Sequence, residues 1–174
     1  EQAQRLFAAS PETESTEMSA SRHYLGTVYL ELGRLDEAET QLRSAHAMFT
    51  QQYGRTDYDT LAALGSLALA SARRERYAAA VDLLAEGRSA LQGKTERKHL
   101  AMAAALTGRQ LQTAMLAGDL EAAEAALSLL SDPDVSDPTV PNRHVLPLAR
   151  IDLSMHRGAL GQARALLDSY RGTM

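Results

Sequence analysis

Alanine recurs at positions 38, 80, 123 and 163, and each time a leucine follows four residues later, at 42, 84, 127 and 167. Three residues before each alanine stands Leu35, Tyr77, Leu120 or Leu160. Two residues earlier still is Gly33, Glu75, Gly118 or Gly158. Successive alanines are 42, 43 and 40 residues apart. Agreement in four columns across four copies means that one unit is repeated along the chain. Such units bury themselves against their neighbours rather than around one round core.

The stretch from Tyr24 to Ala45 shows what the unit is. Leu25, Gly26 and Tyr29 lie along one stripe of a helix. A glycine inside a helix costs about 1 kcal/mol relative to alanine. Gly26 therefore predicts that a second backbone passes too close for a Cβ. Gly33 suits the left-handed position that ends a helix, and Asp36 follows as a start signal. Ala38, Leu42 and Ala45 then form a second apolar stripe with small residues in it. Two amphipathic helices joined by a tight turn make an αα-hairpin.

These residues resemble the tetratricopeptide repeat, with Leu25-Gly26-x2-Tyr29 in the first helix and Ala38-x3-Leu42 in the second. Arg22 stands where that pattern has Trp, and no Pro closes the repeat. The usual period is about 34 residues. The longer spacing, with Tyr53-Gly54 and an acidic connection after it, is similar to the kinesin-light-chain-like variety. The resemblance runs from Ser15 to the C-terminus. It implies an all-α, right-handed α-solenoid of about four helix-turn-helix repeats, over 15–56, 57–94, 95–141 and 142–174. Residues 1–14 are expected to be the tail of a preceding truncated repeat, with Leu6 and Phe7 as its apolar part, and a connection in which Pro11 ends the helix. The first helices are expected at 15–32, 57–74, 96–116 and 143–156, and the second at 35–52, 77–91, 120–130 and 160–170. Thr56 or Asp57 is the expected cap of the second hairpin. In later copies the Gly and Tyr places hold Ala68 and Ser71, Leu111 and Ala114, Ile151 and Ser154.

Composition narrows the function. The net charge is −4 with both signs interspersed, which gives no electrostatic reason for nucleic acid or an anionic membrane as partner. No apolar run approaches the ~20 residues a membrane helix needs, and no basic–apolar secretory leader is expected. There is no Cys, so disulfides, thiol catalysis and Cys-ligated zinc are ruled out. Basic residues are nearly all Arg, with Lys only at 94 and 98. That bias, with abundant Ala, suggests a bacterial protein, and the absence of Cys suggests a cytoplasmic one. The opening at Glu1, already in a helical pattern, suggests a piece of a larger one.

Candidate chemistry is sparse. The histidines at 23, 46, 99, 144 and 156 include no pair at the spacing of a zinc-binding helix. Asp132 to Asp137 resembles the start of a calcium loop but lacks its central Gly and its terminal Glu. Arg73-Arg74-Glu75-Arg76 reads as a solvated turn, with a phosphate or acidic partner as the alternative. No phosphate loop or nucleophile elbow is present. No catalytic residue, cofactor or metal is expected, and the chain reads as a non-enzyme.

The resemblance implies that the first helices line a concave groove for a protein or peptide ligand. Register places there His23, Thr27 and Leu30, then Gly65, Leu69 and Ala72. The third repeat adds Gly108, Arg109, Gln112 and Met115, and the fourth Leu148, Asp152 and Met155. The Lys, Asn and Arg of family members that clamp a terminal carboxylate are replaced here, by His23, Thr27, Gly65, Leu69, Gly108 and Gln112, so binding in that style is not expected. The function implied is a protein-interaction scaffold, set in a larger bacterial signalling or regulatory protein. The alternatives are a domain sensing an effector or signal peptide for a kinase or transcription regulator, and homodimerisation through exposed stack ends.

Overall fold

The computed structural model describes residues 11–130, 154–155 and 158–171. Among these residues seven helices form and no strand does. They are α1 (Pro11–Glu31), α2 (Leu35–Tyr53), α3 (Tyr58–Arg73), α4 (Tyr77–Ala90), α5 (Arg97–Ala117), α6 (Leu120–Leu130) and α7 (Leu160–Arg171). Helices α1 to α6 make three hairpins, and each helix packs on the next in sequence. The first helices also touch one another, α1 with α3 and α3 with α5. This is an all-α, tetratricopeptide-like stack.

The repeated columns occupy equivalent places. Ala38, Ala80 and Ala123 are fully buried, as are Leu42 and Leu84. Leu127 is half-buried and packs on the cluster of Ala123 and Ala126. The side chains of Ala163 and Leu167 lie outside the described residues. Gly33, Gly118 and Gly158 take φ values of 72°, 70° and 70°, and Glu75 takes 61° at the same turn position. The drifted positions keep their burial too, since Ala68, Ser71, Leu111, Ala114 and Ser154 are all buried.

Gly26 has the close neighbour its position demands. A Cβ there would stand 2.6 Å from Leu42 Cγ and 3.2 Å from the Leu42 backbone nitrogen. Asp57 caps α3, accepting from the backbone N–H of Asp59 at 2.9 Å and of Thr60 at 3.5 Å. Helix α3 is buried without a break from Ala63 to Ala72. An apolar surface on every side suits a helix enclosed by others, and α1, α2, α4 and α5 all pack against it.

Two expectations need correction. Residues 11–14 are not a connection but part of α1, whose first described residue is Pro11. Proline at a first helical position gives up no needed N–H, and Glu12 and Glu14 suit the positive end of the helix dipole. The arginine turn between α3 and α4 is neither simply solvated nor left for a partner. Arg73 donates to the Leu30 carbonyl at 2.7 Å. Arg76 and Arg74 both reach Glu39, Arg74 at 3.5 Å, and Arg74 also pairs with Asp36. Arg43 joins Glu39 from its own helix at 2.5 Å. Glu39 is only 7% exposed, so this carboxylate ties the second hairpin to the first.

Candidate protein-interaction face

The first helices bring three hairpins to one strip. His23 of α1 lies 3.3 Å from Ser66 of α3, Nε2 to Oγ. Ser66 donates its own proton to the Ala62 carbonyl at 3.0 Å. His23 Nε2–H must therefore be the donor to Ser66, which leaves Nδ1 as an acceptor. The imidazole also meets Tyr24 in a stack and Phe49 edge-on, with centroids 6.2 and 6.3 Å away. Burial pushes its pKa below the ordinary 6.5; Asp59 opposes the shift and Arg109 adds to it.

Arg109 comes from α5 and crosses α3 at Gly65. A Cβ on Gly65 would stand 2.9 Å from both Cδ and Nε of Arg109, so only glycine leaves room for this crossing. Among the described residues its guanidinium has no hydrogen-bond or ion-pair partner, and burial pushes its pKa down. Beside it Gly108 is open, with nothing within 4 Å of where a Cβ would be. Gln112, one turn further along α5, is exposed.

The other residues expected at the groove divide. Thr27 is half-buried and donates to the Tyr24 carbonyl at 2.7 Å. Leu30 and Leu69 belong to the core cluster that joins α1, α2 and α3, and Ala72 to the one that joins α3, α4 and α5. These three pack inside the stack and offer no side chain to a ligand. Met115 is half-buried against the α5–α6 cluster. Met155 is exposed, while Leu148 and Asp152 lie outside the described residues. Ser66 is the member that the sequence did not point to. It stands 43 residues after His23, one repeat step, and that spacing is the signal that could have found it.

Elsewhere, Met18, Tyr24, Leu25, Val28 and Leu32 leave an exposed apolar stripe on α1. Forty-two residues on from Leu25 and Val28 stand Leu67 and Ala70, both buried in the cluster shared with α2. The stripe is thus the outward face of the described hairpins. Leu6 and Phe7 lie outside the described residues. A cavity of about 350 Å³ opens between α2, α3 and α4, floored by Leu61 and Leu64 and edged by His46 and the Arg55–Glu86 ion pair at 2.7 Å. Among the described residues no three His, Asp or Glu side chains are grouped to hold a metal ion, and no helix is long and apolar enough to cross a membrane. The calcium-like segment lies outside them.

The tetratricopeptide repeat family model matches residues 16–93, from α1 to just past α4. No curated protein and no solved structure matches the chain. Repeats of this kind generally mediate protein–protein interaction and are typically non-catalytic. In its sequence pattern and its paired, mutually buried helices, the stretch from residue 16 to residue 93 belongs to the tetratricopeptide repeat family.

Proposed function

We propose that this chain is a non-catalytic scaffold module whose α1–α3–α5 face, the concave side of the stack, binds a peptide or a protein surface. The observation that carries the reading is the strip made by His23, Ser66 and Arg109, one residue from each of three hairpins. A ligand spanning them would read the stack rather than any single helix. Thr27, Gly108 and Gln112 extend the accessible part of the face. The forty-odd-residue period supports the long-period variety of the family. The Arg- and Ala-rich composition supports a bacterial source, the absence of Cys a cytoplasmic location, and the resemblance to long-period repeats a signalling or regulatory role.

Gly108→Phe tests the face, because open space at Gly108 accommodates a side chain without disturbing the core. Partners captured by the wild-type chain and identified by cross-linking should be lost with the variant while its melting temperature is unchanged. A folded variant that keeps every partner would refute the assignment.

Two further readings each rest on one feature. The cavity at Leu61 and Leu64 supports effector sensing, since its size is at the lower end for small-molecule sites. A small-molecule panel should then raise the melting temperature in proportion to ligand concentration. The apolar stripe on α1 supports self-association through the stack end. Sedimentation independent of concentration would dispose of that one.

A further inference from the structure

We propose that the cavity between α2, α3 and α4 binds an uncharged small molecule with an apolar body and a hydrogen-bond donor at one end; the inference rests on the effector reading of that cavity and is independent of the α1–α3–α5 face. Leu61 and Leu64, both buried, form its floor. Its wall on α4 includes Gly87. A Cβ there would stand 2.9 Å from Leu106 Cδ1 and 3.1 Å from Leu64 Cδ2, so only glycine lets α4 lie this close over α3 and α5. The repeat shows how the next junction is spanned. Eight residues after Ala38 and Ala80 stand His46 and Arg88. Arg88 reaches Gln110 of α5 at 2.7 Å and so bridges to the following hairpin. The shorter His46 makes no such bridge. Among the described residues its ring bonds only Thr50 of its own helix, at 3.5 Å, and it stands at the edge of open space instead.

The lining selects the ligand. At the mouth Arg55 and Glu86 are paired at 2.7 Å and cancel one another's charge. His46 is neutral, because burial holds its pKa below the ordinary 6.5, with Glu86 opposing the shift and Arg55 adding to it. The cavity therefore has no spare charge. An ionised ligand would have to split the pair or lie against Leu61 and Leu64 without a counter-ion, and either is unfavourable. Thr50 commits its hydroxyl proton to the His46 carbonyl at 2.7 Å, so in its contact with His46 Nε2 the imidazole is the donor. Nδ1 is left as an acceptor with no partner among the described residues. A hydroxyl or amide N–H on the ligand matches it, while the apolar body covers the leucine floor. The volume of about 350 Å³ suits a compact bicyclic molecule.

Four probes of one shape test the ligand class: naphthylmethanol, methylnaphthalene, naphthoate and naphthylmethylamine, each titrated into the wild-type chain by calorimetry and by melting temperature. Naphthylmethanol is expected to bind and to raise the melting temperature with concentration. Methylnaphthalene, which lacks the donor, should bind roughly 5-fold more weakly. The two charged probes should bind at least about 10-fold more weakly. Ser89→Phe and Ala90→Phe each put a ring into the cavity, from its exposed and its half-buried edge, and each should abolish naphthylmethanol binding. Either variant suffices if the other does not fold. Glu86→Gln leaves Arg55 without its counter-charge and should put naphthoate ahead of naphthylmethanol; a loss of folding would weaken both alike. If no probe binds the wild type, the effector reading of the cavity falls and the ligand class with it. If the charged probes match the alcohol, or Glu86→Gln leaves the order unchanged, the cavity stands as a site and the ligand class is refuted. Binding that survives a folded phenylalanine variant lies elsewhere, which overturns the assignment to this cavity.

Discussion

Glu75 holds a backbone conformation that its three counterparts assign to glycine. Its φ of 61° lies in the left-handed region, where a side chain costs roughly 1–2 kcal/mol. Among the described residues its carboxylate has no hydrogen-bond or ion-pair partner that would offset this. Glu75→Gly should therefore stabilise the chain by about 1 kcal/mol, after allowing for the extra freedom glycine gains when unfolded. The measurement is the urea midpoint at constant slope. A lower midpoint would mean that the turn is held by something other than its backbone geometry. The repeat itself made this residue legible, because a column of Gly, Glu, Gly and Gly names both the conformation and the exception.

Among elements, the contact between α1 and α2 was readable in the same way. Gly26→Ala gains helix propensity but drives a methyl into Leu42, side chain and backbone together. Overpacking costs typically 1–3 kcal/mol, so a net loss of roughly 1 kcal/mol is expected in chemical denaturation. A neutral or stabilising result would show that the two helices can slide apart. The second helices were legible to within a residue or so, because a mixed polar and apolar pattern gives a helix a direction. Helix α3 has no such direction. Its surface from Ala63 to Ala72 is Ala, Leu, Gly and Ser, and periodicity cannot say which side meets a ligand when every side meets protein. That is why Leu69 and Ala72 were expected at the groove and lie in the core. The start of α1 was misjudged because proline both ends helices and begins them. Register brought His23, Gly65 and Arg109 to one face. The missing partner of Arg109 was not legible, since pairing depends on distances across three hairpins.

For the whole molecule, acid should act in two stages. Burial holds the pKa of His23 and of His46 below the ordinary 6.5, so the unfolded chain binds these protons more readily. Stability present above pH 6.5 is then lost as pH falls through that value. Glu39 follows at lower pH: burial alone would raise its pKa, but the hydrogen bonds from Arg43 and Arg76 outweigh it and hold it below 4.5. Its contribution is lost as pH falls from 4.5. The melting temperature should be level above pH 7, decline below 6.5 and drop more steeply below 4.5. Melting curves that superimpose between pH 7.5 and 5.5 would contradict the first stage.

Arg73 on the Leu30 carbonyl and Arg74 and Arg76 on Glu39 fasten the α3–α4 turn to both helices of the hairpin before it. The first two hairpins are thereby stopped from spreading like the ribs of a fan. On the proposed binding face, a guest laid along them would meet a width already set, and it is the guest that would have to bend.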